Sequence, residues 1–157
     1  MKAKNQRLRY MAAAGMTAAL YTVLSLVNIP ISFFQFRPAE ALTALPLLTP
    51  AAIPGLFFGC MIANYMTGCL FYDILFGSIA TLLGAIGTRV LRKRPALAML
   101  PPVLSNTLII PPILVFAYGA NDAYPLLMLS VFVGELISCY LLGLIFHRAA
   151  KHFSHIR

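Results

Sequence analysis

An all-α integral membrane protein, a six-helix bundle with a short second helix, is the fold class that this 157-residue chain predicts. Two observations lead there. The chain is 61% hydrophobic and 10% charged, against roughly 25% charged in soluble domains. A soluble core of this size could not bury so much apolar surface, so the natural solvent is lipid. The basic residues are clustered: Lys2, Lys4, Arg7 and Arg9 open the chain, Arg89, Arg92, Lys93 and Arg94 stand in its middle, and Arg148, Lys151 and Arg157 close it. Such clusters between apolar segments are what the positive-inside rule describes.

A transmembrane helix needs about 20 mostly apolar residues. The first is expected over 10–28, ending before Asn28-Ile-Pro30. The uncharged tract from Ala41 to Tyr72 is too long for one span, and Thr49-Pro50 and Pro54-Gly55 divide it. It reads as a short segment over 39–48 and a second over 52–67. Spans at 71–90, 97–117 and 124–147 follow. Six crossings put all three basic clusters on one side, whereas an odd number would separate them. The expectation is one domain with both termini cytoplasmic. The opening apolar stretch runs too long for a cleavable signal. The second segment is too short to cross unaided and must be tilted, re-entrant or shielded by its neighbours, because unpaired backbone does not face lipid.

The polar residues inside the apolar tracts are the candidates for function. Glu135 lies eleven residues after Tyr124, about 16 Å along a helix and near mid-membrane. A charge there costs at least about 2.5–3.5 kcal/mol on insertion scales. It must face a wet cavity or hold a helix–helix contact. Glu40 and Arg37 are one turn apart if a helix begins at Pro38. They form either a local ion pair or one wall of a ligand pocket. Asp73 heads the fourth helix, with Gly77, Ala80, Gly84 and Gly87 below it; it is a ligand group or an acid favoured by the helix dipole. Asn106, between two proline pairs, satisfies freed carbonyls or reaches a ligand, and Asn64 offers the same choice. Tyr65, Phe34 and Phe36 could stack on a planar ring or contact lipid. Asp122 reads as a loop acid. His147, His152 and His155 follow the last span and read as solvated.

Several function classes drop out. The chain has no GxxxxGK[ST] and so no P-loop for ATP. It has no HExxH, no GxSxG, no metal-ligand set and no matched halves of an inverted repeat. No cofactor is implied, and an enzyme is disfavoured. A nucleic-acid footprint lacks a module to carry it. The three cysteines, Cys60, Cys69 and Cys139, lie in apolar tracts without a CxxC and read as small packing residues. In the first helix Ala14/Ala18 and Gly15/Ala19 give two small-xxx-small pairs suited to close helix packing. What remains is a binding device without a motor.

FQFRPAEALTALP, PAAIPGLFFGCMIAN, DILFGSIATLLGA, LPPVLSN and GELISCYLLG, in this order, resemble the QueT family: substrate-binding (S) components of energy-coupling factor (ECF) transporters, linked to uptake of queuosine precursors. The resemblance covers about residues 10–146. It implies a six-helix S component in the cell membrane. It also implies a partner complex of a transmembrane coupling protein and a pair of ABC ATPases, and a subunit that topples to expose its site inside. Ala14 and Ala18 carry over as the contact with the coupling protein.

A 7-deazaguanine presents N1–H and an exocyclic amine on one edge, which one carboxylate can accept together. An aminomethyl arm brings a cation that suits a second carboxylate, and O6 wants an amide or arginine donor. The expected binding set is therefore Glu135 and Glu40 as carboxylates, Asn106 as amide and Arg37 as oxygen donor or charge balancer, with Asp73 and Asn64 in reserve. The alternatives are an S component for another vitamin or salvaged base, and a non-transporting membrane scaffold whose acids hold helices together.

Overall fold

The computed structural model describes residues 2–27, 29–31, 34–120 and 123–155, with side chains over 4–27, 37–120 and 123–152. Asn28, Asp122, and the side chains of Phe34, Phe36 and His155 lie outside the described residues.

Helix α1 spans Lys2–Leu26. It begins well before Tyr10, because Lys, Arg, Gln and Leu are good helix formers and the basic side chains over 4–10 stay exposed. A two-stranded antiparallel ribbon follows, β1 (Ile29–Ile31) and β2 (Phe34–Phe36), with Ile29 opposite Phe36. Its Ile and Phe residues suit strands, and Pro30 is tolerated in an edge strand. The sequence reading did not foresee this ribbon within its uncharged tract.

The short second segment is a 3-10 helix, Pro38–Leu47. Its ten residues rise about 20 Å, well short of a roughly 30 Å hydrocarbon core. Neighbours shield it. Ala39, Glu40, Leu42, Thr43, Ala44, Pro46 and Leu47 are all buried. Backbone groups left open by the tight geometry find side chains: Thr43 Oγ1 donates to the Glu40 carbonyl at 2.6 Å, and Arg89 Nη1 to the Pro46 carbonyl at 3.0 Å.

Helix α2 (Ala52–Met66) runs parallel to α1 at very close range. A Cβ on Gly55 would lie 2.6 Å from the Ala14 carbonyl oxygen, and one on Gly59 would lie 2.9 Å from that of Ala18. The chain then reverses at Gly68, whose φ of +73° favours glycine. Helix α3 (Phe71–Val90) returns antiparallel to α2, with Thr81 Oγ1 donating to Cys60 Sγ at 3.4 Å. Helices α4 (Pro95–Ala98) and α5 (Leu100–Phe116) run back along α3. Their approach is equally close, since a Cβ on Gly84 would lie 2.6 Å from Pro102 Cα. Helix α5 continues through Pro111 and Pro112.

The last rod is α6 (Tyr124–Glu135), a π-helical stretch (Leu136–Leu142) and α7 (Gly143–His155) in succession. Among the described residues, three stretches are long and apolar enough to cross a membrane: Phe71–Val90, Pro95–Phe116 and Tyr124–His152. Large apolar side chains such as Val23, Phe58, Leu83, Leu108 and Ile145 stand exposed around the body, as lipid contact requires. His147 departs from the sequence expectation of a solvated residue. It lies within the last rod, 6% exposed, with no hydrogen-bond partner at either ring nitrogen.

The helix directions sort the ends. The start of α1, the 92–94 turn after α3 and the end of α7 lie at one end of the body. The ribbon, the α2–α3 turn and the α5–α6 loop lie at the other. Arg37 alone among the described basic residues belongs to the second half.

Candidate functional site

The buried acids meet at the inner wall of the 3-10 helix. Glu40 sits in its first turn and is 0% exposed. Pro38 at the helix start and the Glu40 N–H bond to the Arg37 carbonyl, 3.0 Å, aim this turn inward. Tyr21 of α1 donates its hydroxyl to Glu40 Oε1 at 2.5 Å. Glu135, at the end of α6, is 7% exposed. One turn on, the Cys139 thiol donates to Glu135 Oε2 at 2.9 Å and stands 3.9 Å from Glu40 Oε2. Ligand atoms of Glu40, Glu135 and Cys139 all lie within 4.8 Å of one another. Three-point ligation of an ion there would have to displace the Tyr21 hydroxyl and the Cys139 proton from the carboxylates they already serve.

The amides and the arginine close around this core. Asn106, buried on α5, hydrogen-bonds to Glu135. Arg37 anchors its backbone N–H on Ser138 Oγ at 3.3 Å and sends Nη2 to Asn64 Oδ1 at 3.2 Å. Its charge acts on both Glu40 and Glu135. Asn64 in turn donates to the Asp73 backbone carbonyl at 3.3 Å. The Asp73 carboxylate itself stays at the rim, where Tyr118 donates to Oδ2 at 3.3 Å and accepts from the Leu70 N–H at 3.0 Å. Desolvation, with the Asp73 charge adding to it, pushes the Tyr118 hydroxyl up to about 12, so it remains a donor.

Of the residues singled out in the sequence, Glu40, Glu135, Asn106 and Arg37 gather in one cluster. Asn64 bridges that cluster to Asp73, whose carboxylate lies outside it. Tyr65 is 75% exposed and turned away. Ala14 and Ala18 turn backbone atoms to Gly55 and Gly59 of α2 and stay half-buried, while Gly15 and Ala19 are exposed. Sequence reasoning missed Tyr21, Ser138 and Cys139. The signal for Cys139 was its place four residues after Glu135, on the same helix face. Cys60 too is more than filler: its sulfur accepts from Thr81 and, at 3.7 Å, from Asn64. A separate groove of about 590 Å³ between α3 and α5, lined by Tyr72, Phe76, Leu108, Pro112 and Phe116 among others, carries no charged group.

The cluster sets two carboxylate acceptors beside the donor groups of an arginine and two amides. A family model described as the QueT transporter matches residues 11–152. No curated protein and no solved structure matches the chain. Matched over nearly its whole length, and built as an apolar helical body around a buried polar cluster, the chain belongs to the QueT transporter family.

Proposed function

We propose that this chain is the S component of an ECF-type importer and captures a queuosine precursor of the 7-deazaguanine type, the aminomethyl base. The observation that carries this reading is the convergence of Glu40 and Glu135 on one point, with Asn106 and Arg37 beside them. Two buried carboxylates held this close favour a guest that brings paired N–H donors and a positive charge, since buried charge demands compensation. The guanine-like edge supplies the donors, and the aminomethyl arm supplies the charge. Arg37 and the amides suit the O6 acceptor.

Gathering the basic clusters at one end supports a cytoplasmic placement of that end and of both termini. The ribbon, Arg37 and the Asp73–Tyr118 rim then face outside, where a precursor arrives. Since the sequence carries no ATP-binding motif, energy must come from partners, the coupling protein and its ATPase pair. The half-buried Ala14 and Ala18, with the exposed Gly15 and Ala19 beside them, form the small-residue surface of α1 that would take a coupling helix.

One observation favours a second reading. Each carboxylate already has an internal donor, Tyr21 or Cys139, as a scaffold that uses its acids to hold helices would require. Isothermal titration of the purified protein with 7-aminomethyl-7-deazaguanine separates the two. Binding that falls at least tenfold in Glu135→Gln supports the transporter subunit. Unchanged affinity rejects the Glu135 assignment. Thermal stability raised by another vitamin or base but by no precursor points to an S component of different substrate. Stability that none of these ligands raises, with Glu135→Gln lowering it, points to the scaffold, because a ligand of the folded state must raise it.

A further inference from the structure

The thiol between the two acids is the least expected group in the cluster. Cys139 is fully buried, donates to Glu135 at 2.9 Å and faces Glu40 at 3.9 Å. A thiol is a weak donor. A serine hydroxyl in the same place would be a stronger one and would hold the carboxylate more firmly. The π-helical stretch Leu136–Leu142 carries Ser138 and Cys139 together. Ser138 takes the Arg37 backbone, so its neighbour's thiol is held at the carboxylates by the same turn.

We propose that Cys139 is a specificity-determining residue of this site. Its thiol keeps the Glu135 carboxylate turned toward Glu40 in the empty protein and yields that oxygen to a guest bearing paired N–H donors. This rests on the reading of the cluster as a 7-deazaguanine site. Tyr21 plays the contrasting part. Its hydroxyl is a strong donor, so Glu40 Oε1 stays engaged and Glu40 offers the guest its other oxygen. The guest thus exchanges the weak thiol bond at Glu135 Oε2 for a charge-assisted one, beside the bond that Asn106 already gives this carboxylate, and no covalent step is involved.

The test is titration of wild type, Cys139→Ser and Cys139→Ala with 7-aminomethyl-7-deazaguanine, alongside thermal unfolding without ligand. Cys139→Ser is expected to bind about five- to tenfold more weakly, the worth of one ordinary hydrogen bond that the guest must now displace. Cys139→Ala, lacking the thiol competitor and keeping the Asn106 bond to Glu135, is expected to bind at least as tightly as wild type while unfolding at lower temperature. A purely structural thiol would lower stability in both variants and leave the order of affinities unchanged. Serine binding equal to wild type, or alanine binding more weakly than serine, overturns the proposal. Absence of wild-type binding overturns the 7-deazaguanine reading first and this inference with it. Should the serine variant not fold, the Cys139→Ala titration decides alone: alanine binding at least as tightly as wild type supports the proposal, and weaker binding overturns it.

Discussion

Two glycines in neighbouring turns of the same helix pair differ only in what they meet, and that difference can be measured. Gly59 of α2 lies against α1: an added Cβ would stand 2.9 Å from the Ala18 carbonyl oxygen, 3.0 Å from Ala18 Cα and 3.0 Å from Tyr21 Cβ. Gly15 of α1 has nothing within 4 Å. Replacing either by alanine gains the same helix propensity, up to about 1 kcal/mol. Carbon atoms prefer about 3.5–4.0 Å, so Gly59→Ala must open the α1–α2 contact by roughly 0.5–1 Å. Overpacking of this kind costs about 1–3 kcal/mol. Gly15→Ala should therefore be neutral or slightly stabilising, and Gly59→Ala should fall below it by about 1–3 kcal/mol. Denaturant unfolding in mixed micelles, followed by circular dichroism, reads the difference directly because the propensity gain cancels. Gly59→Ala as stable as Gly15→Ala would show that the two helices do not approach as described.

Three more outcomes follow from single contacts. Tyr21→Phe removes the donor to Glu40 and should cost about 0.6–1.7 kcal/mol, the range for hydrogen bonds within membrane proteins; equal unfolding curves for variant and wild type would show that the bond is not formed. Arg89→Met deprives the Pro46 carbonyl of its donor, so hydrogen exchange at Leu48 and Thr49, whose amides bond back to Leu45, should quicken without a change elsewhere. Tyr118→Phe should shift stability by an offset that stays constant from pH 7 to about 10. The folded hydroxyl is pushed up to about 12, so its contribution is fully present below its ordinary titration near 10 and is lost only as pH rises through the folded value. An offset that shrinks between pH 8 and 9 would refute the raised titration that desolvation, with Asp73, imposes on this hydroxyl.

The helical, membrane-embedded character was legible because solvent, not side-chain detail, dictates it: uncharged tracts, proline breaks and basic clusters carry that information along the chain. The shortness of the 39–48 segment could be read from its flanking charge and prolines, but its 3-10 winding could not. That winding depends on Thr43 and on Arg89, a residue 43 positions from its acceptor. Likewise the ribbon over 29–36 hides in a tract whose apolar residues suit strand or helix alike. The acids were visible as costly anomalies in oil. Their internal donors were not, because a tyrosine or cysteine in an apolar helix looks like ordinary filler until tertiary structure brings Tyr21 within reach of Glu40, 19 residues away.

Glycine-mediated contact makes α1 with α2, and α3 with α5, into two pairs whose backbones almost touch. Such pairs have little freedom to slide. The acids, by contrast, hang from the 3-10 helix and from the last rod at its π-helical stretch, where packing depends on side chains. The carboxylates are thus mounted on the two elements held chiefly by side chains, set against a half whose helices meet backbone to backbone.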